Sequence, residues 1–326
     1  MLQYLYGFII LTALGILYDK YKQKFVPDEK LKDHELIVKF LLNGDGSDLA
    51  KKPLLWIYTD RKVNSRSWPS FYSRNTKNLN QPYLISCVET IIKHCGSSFN
   101  ICLIDNSSFK RLLPDWNIYL DRLGDPVQSH FTLVALTKVL HRYGGMLVPN
   151  STIVMKNLFS IYESALRTKC CFAVEGINRG NTADIVELFP MTKFMGCRQN
   201  SPVMKQFATF LERKVRYDYT DEFEFLGEAN RWLYQARLRD QLVLVNSKFF
   251  GMVDKQCELV DVDRLMSSTF IEFDDNDLYG IYLPSNEILK RTSVQWFSRL
   301  SQQQLRQCNA IAAKYLLIAL GGKLCR

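Results

Sequence analysis

From Leu54 onward, short apolar runs of strand length alternate with longer runs of helical period, and this alternation limits the chain to few architectures. The run Leu-Leu-Trp-Ile-Tyr at residues 54–58 reads as a strand buried on both faces. Residues 82–94 carry Tyr83, Cys87, Ile91 and Ile92 in one stripe, the spacing of a helix. Residues 100–104 return to strand and end on Asp105. Residues 131–143 read as a helix stopped by Gly144 and Gly145, followed by a short strand at 146–148. Further strands are expected at 171–174 and 191–195, helices at 202–213, 230–237, 293–300 and 303–320, and a strand and turn at 279–284. The pattern predicts one α/β domain with a largely parallel sheet over residues 53–326. Ligands of such sheets sit at the carboxyl ends of the strands. That rule puts Tyr58, Thr59 and Asp60, then Asp105 and Asn106, then Pro149, Asn150 and Ser151 on the candidate functional edge.

The first 18 residues, Met1 to Tyr18, contain no charged side chain. A helix of that length spans about 27 Å, close to one hydrocarbon core. Tyr4, Tyr6 and Tyr18 suit the two interfaces. A cleaved signal peptide would need a basic leader and a small-x-small site outside the apolar run, and neither is written here. The expectation is a retained single-pass anchor in a lipid bilayer, then a charged tether over residues 19–52. Lys20, Lys22, Lys24, Lys30 and Lys32 follow the span, which favours a cytosolic domain by the positive-inside rule. The apolar stretch 310–320 is too short to cross a bilayer and reads as a core helix.

The net charge of +9 raises the question of nucleic acid. The excess is spread along the chain and no nucleic-acid motif accompanies it, so none is expected as a partner. The nine cysteines have no Cys-x-x-Cys spacing, and several stand in apolar runs where a buried free thiol is expected. The four histidines show no metal-ligand spacing.

Four features in order resemble the glycosyltransferases of the capsular-polysaccharide-synthesis type and their relatives with a D-x-D sugar-binding region. They are the strand at 54–58, the Pro-Tyr-x-x-x-Cys helix start at 82–87 leading to Asp105, the Arg-Tyr-Gly-Gly junction at 142–145, and the strand Met-Leu-Val at 146–148. The resemblance covers about residues 53–160, with an echo in 193–210. It implies a type-A glycosyltransferase fold, that is, a nucleotide-diphospho-sugar-transferase-like domain. A nucleotide-sugar donor is implied too, with Tyr58, Asp60, Asp105, Asn106, Asn150 and Ser151 as candidate donor-binding residues. In that family two carboxylates just after the paired glycines hold a divalent metal that neutralises the leaving diphosphate. Here the place reads Pro149-Asn150-Ser151, without an acid. The family's donor-contacting Asp and Arg on the preceding helix fall on Leu133 and Leu136.

Two readings follow. In one the protein transfers a sugar with a degenerate site. Mn²⁺ or Mg²⁺ is then needed only if other acids stand in, such as Asp60, Asp105 or the cluster Asp274, Asp275 and Asp277. Without metal, Arg61, Arg66 or Arg74 would clamp the diphosphate. In the other the domain is catalytically silent and serves as a membrane-bound binding or structural module. Transferase-like chains with a neutral Pro-x-Ser region also resemble some encoded by large DNA viruses, which keeps virion membranes among the candidate locations. The loop at 67–75, with Trp68, Phe71 and Tyr72, reads as a satellite hydrophobic cluster or as a lid over a base or sugar ring. Trp296 and Phe297 are both expected to plug the C-terminal helices into the core.

Overall fold

The computed structural model describes residues 52–59, 81–113, 115–180, 183, 186–217 and 222–321. The expected anchor at 1–18, the tether up to residue 51, Asp60, Arg61, Arg66, Arg74, the aromatic loop at 67–75 and Cys325 lie outside the described residues. Among the described residues no helix is long and apolar enough to cross a membrane.

The strands are β1 (Leu54–Tyr58), β2 (Asn100–Ile104), β3 (Gly145–Leu147), β4 (Thr152–Val154), β5 (Cys171–Ile177), β6 (Leu188–Cys197), β7 (Val243–Val245) and β8 (Gly280–Tyr282). The main helices are α1 (Pro82–Cys95), α2 (Val127–Tyr143), α3 (Phe159–Thr168), α4 (Pro202–Val215), α5 (Glu222–Leu238), α6 (Ser285–Lys290) and α7 (Ile311–Leu320). Six strands make the central sheet in the order β2-β1-β3-β6-β5-β7, and β4 pairs with β8 in a separate ribbon. β2, β1 and β3 are mutually parallel, as are β5 and β7, while β6 runs antiparallel to both its neighbours. The largely parallel sheet is therefore present, with β6 as its one reversed strand.

β1, β3 and β7 are apolar throughout because both faces of the sheet are covered. Trp56, Leu147 and Met195 point to the layer that holds Leu133, Leu136 and Leu140 of α2 and Phe207 of α4. Leu55, Ile57, Met146 and Phe194 point to the opposite layer, with Ile91 of α1 and Ile161 of α3. A third cluster joins Ile153 and Ile281 of the small ribbon to Tyr83, Phe297 and Leu316. α7 lies in this cluster with Ala312, Ala313, Leu316 and Ala319 buried, as expected of a core helix.

The Tyr-Gly-Gly junction has a steric cause. Gly144 and Gly145 have φ values of 70° and 99°. A Cβ on Gly145 would stand 2.3 Å from the Leu54 carbonyl oxygen, and one on Gly144 would stand 2.6 Å from the Gln199 amide nitrogen. Both glycines let α2 turn tightly into β3 beside β1. The Trp56 indole donates to the Gly144 carbonyl at 2.9 Å and locks the junction to β1.

Several expectations need correction. α2 begins at Val127, four residues before the expected start, and α5 begins at Glu222 rather than Asn230. The helix expected over 303–320 is two helices, Gln302–Gln307 and α7. Cys308 and Ala310 are extended between them, and the Ile311 amide donates to the Ser267 carbonyl at 2.9 Å. The helix expected at 293–300 is one turn, Gln295–Ser298. Phe297 is buried, but Trp296 is 41% exposed and does not plug the core. The eight described cysteines are free. Burial raises the thiol pKa values of Cys95 and Cys102 to about 11, so both are inert packing groups.

Candidate functional site

The carboxyl ends of β1 and β3 open onto a cavity of about 220 Å³. Tyr58 and residues 147–151 form its floor, and α2 supplies one wall through Gln128, Thr132, Leu133 and Leu136. β6 and α5 form the facing wall with Thr192, Lys193, Glu222 and Leu226. Tyr282 and the first turns of α6, with Ser285, Asn286 and Leu289, complete the lining. The cavity thus lies where an open α/β sheet binds its ligands.

The candidate residues divide. Tyr58, Asn150 and Ser151 line the cavity, whereas Asp105 and Asn106 stand outside its lining. Tyr58 is fixed from behind. Its hydroxyl donates to Asn106 Oδ1 at 2.7 Å, its ring stacks on Phe109 with centroids 6.0 Å apart, and Asn106 Nδ2 donates to Asp121 Oδ1 at 3.1 Å. Asn106 therefore buttresses the floor. Asp105 closes the turn after β2, accepting from Ser107 Oγ at 2.7 Å, from the Ser108 amide at 3.0 Å and from Ser108 Oγ at 2.8 Å. Its Oδ1 is thus engaged in its own turn.

Ser151 is tied to the fold as well as lining the cavity. It is buried, and its hydroxyl donates to the Leu283 carbonyl at 2.6 Å. That bond joins the segment after β3 to the strand end of β8 and takes up the hydroxyl proton. Asn150 is half-buried, and among the described residues its side chain makes no hydrogen bond, so its amide is open to the cavity. Leu133 and Leu136, which occupy the family's donor-contacting positions, do line the cavity, as apolar wall. Three positions that the resemblance singles out, Leu133, Leu136 and Asn150, thus line the cavity, and all three are neutral.

A divalent metal does not fit the described residues. No group of three His, Cys, Asp or Glu side chains among them converges as a metal site. The acids of the lining are Asp125 and Glu222. Asp125 accepts from Ser129 Oγ at 3.1 Å, and Glu222 pairs with Lys290 Nζ at 3.4 Å. The cluster at Asp274 is a turn outside the cavity lining. Asp274 accepts from the Asn276 amide at 3.1 Å, Lys248 pairs with Asp277, and Lys156 binds the Asp275 and Asn276 carbonyls.

Sequence reasoning passed over Lys193 and Glu222. Lys193 stands between Thr192 and Phe194 in β6, lines the cavity and is exposed to solvent. Desolvation lowers its pKa, Lys290 lowers it further, and the Glu222 carboxylate partly opposes both. A lysine inside an apolar strand pattern was the available signal. Glu222 has no such signal, since an acid in the first turn of a helix is ordinary. Nearby, burial lowers the pKa of His130, whose ring stacks on Phe225 at 4.0 Å. His130 lies behind the wall rather than on it.

No family model matches the chain, and no curated protein matches it. Solved structures that match include the glycosyltransferase GlyE of Streptococcus pneumoniae, 12% identical over 61% of this chain and 46% of its own, with a TM-score of 0.34. The galactosyltransferase LgtC, solved with donor and acceptor sugar analogs, is 10% identical over 84% of this chain and 97% of its own, with a TM-score of 0.34. The bifunctional glycosyltransferase WbbM is 11% identical over 72% of this chain and 46% of its own, with a TM-score of 0.41. The chain spans less than half the length of GlyE and of WbbM.

Proposed function

We propose that this protein is a glycosyltransferase-like domain, tethered to a bilayer by residues 1–18, whose cavity receives a nucleotide-sugar donor. One observation carries the reading. The cavity at the carboxyl ends of β1 and β3 is lined by the very positions that the sequence resemblance assigns to the donor, namely Tyr58, Leu133, Leu136 and Asn150. Asn150, Gln128 and Asn286 offer amides suited to sugar hydroxyls or a base edge, and Tyr58 offers an aromatic face. In a transfer, the bond from the anomeric carbon to the diphosphate oxygen breaks, its electrons stay on the diphosphate, and an acceptor hydroxyl takes the sugar and releases its proton.

The same residues favour a second reading, in which the domain binds a donor-like ligand without turnover. Leu133, Leu136, Pro149 and Ser151 stand where the resemblance implies four charged groups in an active relative of the family. The anchor and its lysine-flanked side support a cytosol-facing domain, with a virion membrane as one candidate setting. Thermal-shift titration of the full chain in detergent against a panel of nucleotide sugars tests the reading, run in EDTA and again with Mn²⁺. A saturable rise in melting temperature with at least one nucleotide sugar is expected. No shift with any of them in either condition contradicts it. Hydrolysis or transfer of the bound donor then separates the active from the silent form.

A further inference from the structure

We infer that Lys193 takes the place of the divalent metal, holding the diphosphate of a donor by direct charge at the position where the family would place its cation. This rests on the donor-binding reading above, and three observations support it.

The first is position. β3 pairs antiparallel with β6 so that Met146 faces Gly196 and Leu147 faces Met195. Continued by two residues, that register sets Lys193 beside Pro149, at the head of the Pro149-Asn150-Ser151 segment. Lys193 lines the same cavity as Leu133 and Leu136 of the facing wall. The second is availability. Lys193 is the sole cation lining the cavity among the described residues, and its ammonium makes no hydrogen bond or ion pair with another described residue. Its charged neighbours are Glu222 at the start of α5 and Lys290 at the end of α6, already paired at 3.4 Å, with Asp125 before α2 and the phenols of Tyr58 and Tyr282 on the lining. The third is the misfit of metal. No trio of metal-binding side chains converges among the described residues, and the segment after the paired glycines is neutral.

An ammonium at the edge of a cavity walled by Leu133, Leu136 and Leu226 attracts an anion bound there more strongly than one in bulk water. Lysine is a point-charge phosphate binder, suited to two adjacent phosphates that present several oxygens. Glu222 limits the strength of the site. It stands close enough to compete for Lys193, and its own pairing with Lys290 keeps that competition partial.

The test is calorimetric titration of UDP and GDP into the full chain, in EDTA and in Mn²⁺, for the unaltered protein and for Lys193→Ala, Lys193→Met, Lys193→Arg and Lys193→Glu. Circular dichroism checks that each variant is folded, and the Met form keeps the apolar stem should the Ala form unfold. The unaltered protein is expected to bind at least one of the two in EDTA. Ala or Met should weaken that binding by about tenfold or more, Glu should abolish it, and Arg should restore it to within about threefold. Glu222→Gln should tighten it. Binding that needs Mn²⁺, or that is equal in the unaltered and Met forms, overturns the role of Lys193 and leaves the donor reading standing. No binding of either nucleotide by the unaltered protein in either condition overturns the role of Lys193. If the nucleotide-sugar panel also gives no shift, the donor reading falls with it.

Discussion

The two walls of the cavity differ in kind. The α2 wall and the floor beyond β3 are where the family resemblance places charge, and here they carry Leu133, Leu136, Pro149 and Ser151. The β6 and α5 wall, which the resemblance left without a role, carries Lys193 and Glu222. The cavity thus carries its charge on the wall opposite the one the resemblance points to. The α2 wall is held by steric demands that do not depend on ligand chemistry, namely the paired glycines, the Trp56 indole bond to Gly144 and the buried leucine layer. The facing wall carries an exposed lysine that lines the cavity and makes no hydrogen bond or ion pair with another described residue, which suits a ligand site.

The comparison can be broken or sharpened in order of expected effect. Gly145→Val forces a Cβ onto the Leu54 carbonyl and should destabilise the fold by about 3 kcal/mol or more, read by chemical denaturation. That loss would remove both walls together, and a variant as stable as the parent would show that the junction does not hold the site. Lys193→Met should cost about tenfold in nucleoside diphosphate affinity, near 1.4 kcal/mol, while leaving the melting temperature unlowered. A comparable change at the other wall, Leu136→Met, should alter affinity by less than about threefold.

Raising the pH gives a graded version of the same contrast. Burial and Lys290 hold the Lys193 pKa below the ordinary 10.5, with Glu222 opposing them in part. The ammonium is therefore lost at a lower pH than for a surface lysine, and diphosphate binding should weaken as pH rises from neutrality toward that value. Lys193→Arg, which stays charged, should flatten the profile. A profile equally flat in the parent would remove the lysine from the account. Ser151→Ala should give the smallest effect, about 1 kcal/mol of stability from the lost bond to Leu283 with affinity unchanged.

Much of the fold was legible. The runs at 54–58 and 100–104 gave β1 and β2 their observed limits, because strands buried on both faces leave continuous apolar text. The glycine pair marked the end of α2 because no other residue fits there. β4, β7 and α3 were missed, since three-residue strands are too short to show a period and residues 159–168 mix polar and apolar groups closely. The site was half legible. The edge rule named Tyr58, Asn150 and Ser151, which line the cavity, and Asp105 and Asn106, which do not; the turn that holds Asp105 and the Ser151 bond to a carbonyl 132 residues away leave no local trace. Lys193 was visible as a charge in an apolar strand, and only the β3–β6 register shows which segment it stands beside.

The central claim is that a nucleotide diphosphate occupies this cavity, between the two walls. Photolabelling of the full chain with azido-derivatised nucleoside diphosphates, followed by peptide mapping, tests it most directly. The account predicts label on peptides containing residues 147–151 and 192–193, competed away by unmodified nucleotide. Label confined to the groove at Lys169, Glu175, Arg237 and Asp240, or label that unmodified nucleotide does not displace, would contradict it.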